Sequence, residues 1–363
     1  MSLDSITLPY WYDLHVHFRQ GNASKEYIQA HLDMGCAGAL AMPNTKPPVA
    51  RVQGVATDEH WTIESYRNFL MQSGADQFDA LITPLYLTPE TTPQMIIDGA
   101  QSGLLQSCKY YPPHGTTNAD FGASLQTYMD NGVFAAMSEA GVILNIHGEE
   151  HALQGEDYFG EDSNAEDYFY RERMTHLVDQ YPNLKIVCEH ITTRTAAKFV
   201  QSTSDNIAAT ITPQHLLYTV GHLLQGFKYH LYCLPLIKFE KDRQALLEAV
   251  QTPGQTKFFA GTDSAPHTQK CTPCGCAAGC FTGYIAPQLY AQAFDLNAKN
   301  KDLFQAFLCD NGRDFYDLPL PRKKFTLKKQ PCQSQVLITQ EGQEVVPLSI
   351  GMGQETLEWT LIL

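Results

Sequence analysis

The sequence is short of positive charge. Its 363 residues carry 25 lysines and arginines against 39 aspartates and glutamates, a formal net charge of −14. A polyanion would be repelled, which argues against nucleic acid or an anionic membrane surface as the main partner. No run approaches the roughly 20 apolar residues that a membrane span needs. The first residues, Met1 to Tyr10, contain Asp4 and no basic stretch followed by an apolar one, so no signal peptide is read there. Ten cysteines in a chain of this length are too few for a disulfide scaffold. Without a secretory signal they read as reduced thiols, and the expected location is cytoplasmic. No internal repeat, charge block, low-complexity segment or linker divides the chain. What remains is ordinary globular composition, 44% hydrophobic and 18% charged, enough for a large core.

What recurs is a short apolar or β-branched run ending in polar or turn residues and followed by a helix-like stretch. There are eight such runs: Tyr10–Arg19, Cys36–Asn44, Phe78–Thr88, Leu104–Pro112, Gly141–Glu149, Leu184–Thr193, Asn206–Tyr218 and Thr256–Pro266. Helical periodicity follows in Ser24–Met34, His60–Ser73, Thr92–Gly103, Ser124–Ala140, Ala165–Gln180, Arg194–Gln201, Glu240–Val250 and Ala286–Ala293, with Asn22, Asp58 and Thr91 as candidate caps. Strands alternating with helices predict a parallel sheet, and eight units predict a closed (β/α)8 (TIM) barrel of class α/β, with an open doubly wound sheet as the competing architecture. The chain therefore reads as one domain over residues 1–363, with 319–363 a strand-bearing extension packed on the barrel's bottom or edge.

Chemistry concentrates at the ends of these runs. In Asp13-Leu14-His15-Val16-His17-Phe18-Arg19 a strand would send both imidazoles and Arg19 one way and Leu14, Val16 and Phe18 the other. His147, His190 and Asp263 close three later runs. Each alone fits a satisfied buried polar group. Strand C-termini of a barrel converge on one mouth, however, and four histidines with a carboxylate there point to a metal, since neutral imidazole and carboxylate are zinc ligands. Lys109 ends the fourth run; beside metals its ammonium would have to be neutralised or inverted, which a carbamate on its nitrogen would do.

These residues resemble the amidohydrolase superfamily and, within it, the class II (bacterial-type) dihydroorotases. The match runs from about residue 10 to 320 through Asp13-Leu-His15-Val-His17-Phe-Arg19, Met42-Pro-Asn44-Thr, Lys109-Tyr-Tyr-Pro, Thr116-Thr117-Asn118, Ile146-His147-Gly-Glu149 and Glu189-His190-Ile-Thr-Thr. It continues through Ile211-Thr-Pro-Gln-His215, Tyr232-Cys-Leu234-Pro, Gly261-Thr-Asp263-Ser-Ala-Pro-His267, Cys274-Gly-Cys276 and Asn311-Gly312. The resemblance implies reversible cyclisation of N-carbamoyl-L-aspartate to L-dihydroorotate in de novo pyrimidine synthesis, and a homodimer. It implies two Zn2+ per subunit: one on His15, His17 and Asp263, the other on His147 and His190, with carboxylated Lys109 and a hydroxide bridging. Asp263 would also be the catalytic acid and base. Arg19, Asn44 and His267 would grip the substrate carboxylate, backbone near Leu234 and Ala277 would hold the ring amides, and Thr116 and Thr117 would sit on a closing loop.

Three features depart from the family pattern. Gln20 stands where an acid is common, and Pro113-His114-Gly115 opens the loop unusually. The segment Cys274-Gly-Cys276-Ala277-Ala278-Gly-Cys280 is one alanine longer than usual, which leaves Ala277 or its neighbour in the binding role. Cys271, Cys274, Cys276 and Cys280 could also hold a separate structural zinc. Four rival functions remain. A mononuclear deaminase has no use for Lys109, and a phosphotriesterase-like or hydantoinase-like hydrolase does not need Arg19 with Asn44. A silent homologue acting as an assembly partner would have lost ligands, and a Schiff-base lyase using Lys109 would ignore chelators.

Overall fold

Each of the eight apolar runs contains a strand. In a computed structural model that describes residues 3–273 and 275–363, these are β1 (Trp11–Val16), β2 (Cys36–Ala41), β3 (Ala80–Ile82), β4 (Ser107–Tyr110), β5 (Ile143–His147), β6 (Ile186–Glu189), β7 (Ile207–Ile211) and β8 (Phe258–Ala260). Neighbours pair in parallel, with Gly38 opposite Ala80, Lys109 opposite Asn145, Glu189 opposite His147 and Thr210 opposite Phe259. The third run breaks at Thr83-Pro84, since proline has no N–H for the ladder, and resumes at Leu85–Tyr86, where Tyr86 pairs with Lys109 of β4. The ring closes where the Asp263 N–H donates to the His15 carbonyl at 2.8 Å and the His17 N–H to that of Ser264 at 3.0 Å. This is the closed (β/α)8 barrel that the run count predicts.

Inside it, Tyr12, Leu14, Leu40, Ile82, Val187 and Phe259 form one apolar cluster, and a larger layer fills the space between strands and helices. Helix starts differ from the sequence reading. The capping side chains are Thr62 and Thr92, whose hydroxyls accept from the N–H groups of Ser65 and Met95, while Ala23 precedes the first helix without a side-chain cap. Thr91, expected as a cap, accepts instead from the Thr88 N–H. The expected helix 124–140 is two, Leu125–Asp130 and Val133–Ala140, broken at Gly132, whose φ of 79° is left-handed. After Pro319, Lys324–Lys328 pairs antiparallel with both Ser5–Pro9 and Thr360–Ile362. Further on, Asn22 donates to Glu341 at 2.7 Å, so this segment reaches the side of the mouth. Among the described residues no helix is long and apolar enough to cross a membrane. The Cys274 thiol lies outside the described residues.

One buried carboxylate pins the loop after β6. Glu166, 1% exposed, accepts from the backbone N–H and hydroxyl of both Thr192 and Thr193 at 2.6–2.9 Å. Burial pushes its pKa up to about 7, against Lys238 and the Thr192 bonds. An acid raised this way favours folding in its protonated form. Its contribution is full below its ordinary value near 4.5 and is lost as pH rises through about 7. Calorimetry should therefore show wild type losing melting temperature relative to Glu166→Gln between pH values of roughly 5 and 8. A constant difference across that window would contradict this origin.

Candidate metal centre

At the C-terminal ends of β1, β5, β6 and β8 the structure gathers four imidazoles and a carboxylate. The first pair depends on an irregularity. The register between β1 and β2 slips between Asp13 and Val16. Leu14 packs inside the barrel, whereas Val16 and Phe18 pack in the outer layer. The strict alternation expected for this strand is thus broken, and a bulge of this kind re-aims side chains. His15 and His17 both reach Asp263: its Oδ1 lies 2.9 Å from His17 Nε2 and 3.5 Å from His15 Nε2. Ligating atoms of the three lie within 4.8 Å of one another. His190 stands between the two groups, its ring centroid 4.8 Å from that of His15 and 4.7 Å from that of His147.

Two of these residues, and Arg19, adopt left-handed backbone, with φ of 62° at Arg19, 39° at His190 and 49° at Asp263. Each costs on the order of 1 kcal/mol for a non-glycine residue, so the surroundings must hold them. The Thr210 hydroxyl accepts from the His190 N–H at 2.7 Å, and the His15 carbonyl from that of Asp263 at 2.8 Å. Beneath the mouth, Asp13 accepts from the Thr262 N–H at 2.9 Å, the Thr262 hydroxyl at 2.6 Å and His31 Nε2 at 3.1 Å, tying β1 to β8. Glu189 has a matching role that the sequence reading missed. Its carboxylate takes His15 Nδ1–H and the Thr210 hydroxyl at 2.6 Å and the Asn145 amide at 2.5 Å. With Nδ1 donating, His15 presents an unprotonated Nε2 to the mouth. No motif rule separates Glu189 from an ordinary strand-end acid; only its position beside His15 does.

Protonation states follow from burial. It pushes His17 down to about 4, against the Asp263 bond, and lowers His147 and His190 as well. Burial pushes Asp263 up, but the His17 bond and the charges of His15, His17 and Lys109 outweigh it and hold the carboxyl at about 2. Neutral imidazoles beside an ionised carboxylate are what a divalent metal requires. Lys109, fully buried, is lowered to about 8 by burial, against Glu189 and Asp263. Among the described residues its Nζ and the Nδ1 of His190 have no hydrogen-bond partner. Orphaned donor atoms in a site this dry fit a metal centre.

Five of the seven remaining expected residues surround a cavity of only about 10 Å3, about one water, beside His17 and Asp263. Arg19, Asn44, Thr116, Thr117 and Leu234 line it. The Asn44 amide donates to the Thr117 carbonyl at 2.9 Å, and Arg19 Nη2 lies 3.2 Å from His267 Nε2. Ala277 is not part of this wall; Ala278 and Gly279 are. The Ala277 N–H and C=O are both bonded to Lys270. Nor do the described cysteines gather into one site. Cys271 and Cys276 face each other across a hairpin with sulfurs 3.1 Å apart, while Cys280 is buried with Leu231 and Ile237.

No protein-family model matches this chain. A dihydroorotase of Acaryochloris marina is 40% identical over 99% of both chains. The crystal structure of dihydroorotase from Saccharomyces cerevisiae in complex with 5-fluoroorotic acid superposes with a TM-score of 0.84 at 27% identity, covering 99% of this chain and 98% of that one. A D-hydantoinase from Thermus sp. shares the fold, with a TM-score of 0.73 at 13% identity over 99% of this chain and 83% of its own. By its full-length similarity the chain belongs to the dihydroorotase family, metal-dependent hydrolases of cyclic amides that act in pyrimidine biosynthesis.

Proposed function

We propose residue roles for the reversible cyclisation of N-carbamoyl-L-aspartate to L-dihydroorotate, the reaction of this family. His15, His17 and Asp263 would hold one zinc ion, His147 and His190 a second, and a carboxylated Lys109 would lie between. The observation that carries this reading is the buried Lys109 Nζ, which has no hydrogen-bond partner beside Glu189 and Asp263. Attack of the unprotonated amine on CO2 forms an N–C bond at the expense of one C=O π bond, releases one proton from nitrogen and leaves one negative charge shared by two oxygens. Asp263, Glu189 and that carbamate would then place three negative charges around the two divalent ions. The bound ions would supply an activated water, as hydroxide, and a polarised ring carbonyl.

The chain's own groups do the rest. Arg19 can grip the substrate carboxylate bidentately, with His267 and Asn44 beside it. Backbone at Leu234 and Ala278 faces the ring. The Asp263 carboxylate, held ionised, accepts the water's proton and returns it to the ring nitrogen as the C–N bond breaks. Opening creates a second carboxylate and releases a proton, so acid favours closure. Because the cavity holds about one water, the loop carrying Thr116 and Thr117 must withdraw to admit substrate and return to exclude solvent. We also propose a cytoplasmic homodimer that does not engage nucleic acid; Leu224, Phe227 and Tyr229, exposed within a six-residue stretch, supply apolar surface for the subunit contact.

Dihydroorotate opening should stop on chelation and return with zinc. Asp263→Ala should lower kcat at least ~10³-fold, and retained activity would sink the mechanism. Arg19→Met should lower kcat/KM about 10- to 100-fold. A hydantoinase-like enzyme would instead process dihydrouracil, which lacks the carboxylate, as well as dihydroorotate. Sedimentation should give a dimer that Phe227→Asp weakens; a monomeric wild type would contradict that assignment.

A further inference from the structure

Lys270 is not among the groups assigned above, yet its surroundings are unusual. Only 8% of the residue is exposed. Its Nζ donates to three backbone carbonyls: Tyr232 at 2.7 Å, Ala277 at 2.6 Å and Gly279 at 2.5 Å. An ammonium has three N–H donors, so all are used. The three acceptors belong to the two segments that frame the cavity, one running to Leu234 and the other carrying Ala278 and Gly279. A carbonyl and the N–H of the next residue point in opposite directions across a trans peptide. Among the described residues the cis peptides are Lys46–Pro47 and Leu234–Pro235, so the 277–278 bond is trans. With the Ala277 carbonyl drawn back onto Lys270, the Ala278 N–H faces the other way. Among the described residues it has no hydrogen-bond acceptor, while the neighbouring Gly279 N–H donates to Tyr232 at 3.0 Å. On its other side, the Ala278 carbonyl is 2.8 Å from His267 Nε2. Gly279 permits the close approach, since a Cβ there would lie 2.6 Å from that of Ala265.

We propose that Lys270 is a positioning residue for substrate: its buried ammonium gathers three carbonyls behind the cavity wall and so aims the Ala278 N–H at an oxygen of the bound ring or its carboxylate. Lysine suits the task, because three converging carbonyls match an ammonium's donors, whereas a guanidinium's planar fork cannot reach all of them. The inference rests on the dihydroorotate reading of the site and adds to it a determinant that is not among the proposed metal ligands.

The test compares wild type, Lys270→Met and Lys270→Arg by steady-state dihydroorotate opening, zinc content and thermal melting. Loss of one aimed donor should raise KM about tenfold in Lys270→Met, with kcat within about threefold and zinc content unchanged. Lys270→Arg, which retains the charge, should show a smaller rise of at least about threefold, and it carries the comparison if Lys270→Met does not fold. General loosening of the barrel would lower kcat and zinc content together. Affinity for orotate, a planar ring analogue bearing the same carboxylate, should weaken in step with KM. A KM within twofold of wild type in a folded variant, or a fall in zinc content that tracks activity, overturns the inference. Failure of wild type to open dihydroorotate would instead overturn the reading of the site.

Discussion

Four imidazoles, a lysine and the carboxylates of Asp263, Glu149 and Glu189 share one end of the barrel, and each of these residues is less than one-tenth exposed. Water cannot compensate groups packed this way. Burial lowers His17, His147 and His190 and favours their neutral forms, Asp263 stays ionised through His17, and among the described residues the Lys109 nitrogen has no hydrogen-bond partner. Such a cluster is costly for an empty fold. The barrel tolerates it because the surrounding layer fixes every backbone position, including the left-handed residues at 190 and 263 that a freer chain would avoid.

The shell behind the proposed ligands works by orientation. Glu189 fixes which nitrogen of His15 faces the mouth, Thr210 holds both the Glu189 carboxylate and the His190 N–H, and Asp13 locks β1 to β8 through Thr262. Glu166 does the same for the loop that follows His190, and Lys270 for the wall across the cavity. All five of these groups are buried ionisable side chains or hydroxyls with several bonds each. Placement of the chemistry thus comes from strand-end polar groups, while the apolar layers fix only where the strands lie.

Much of the architecture was legible because its signals are local. A short apolar run, a polar end and a helical stretch can be read eight times without knowing any contact, and all eight runs contain a barrel strand. The failures mark where tertiary context decides. The β1 bulge places Leu14 and His15 on faces that simple alternation denies them, and no residue in the run announces it. Asn22, Asp58 and Thr91 are good caps by type, but the helices begin elsewhere and Thr91 bonds backward to Thr88. Ala277 and Ala278 are indistinguishable by composition; only the structure shows Ala277 bonded to Lys270 and Ala278 in the cavity wall. Glu189, Glu166 and Lys270 stayed hidden because a buried acid or lysine is recognised by its partners.

The proposed metal centre depends on the state of Lys109. Apo chain loaded with zinc in 13C-bicarbonate should show, by 13C NMR, one carbamate carbon per chain together with two bound zinc ions. Absence of that carbon in a fully active preparation, or a single zinc per chain at saturation, would contradict it.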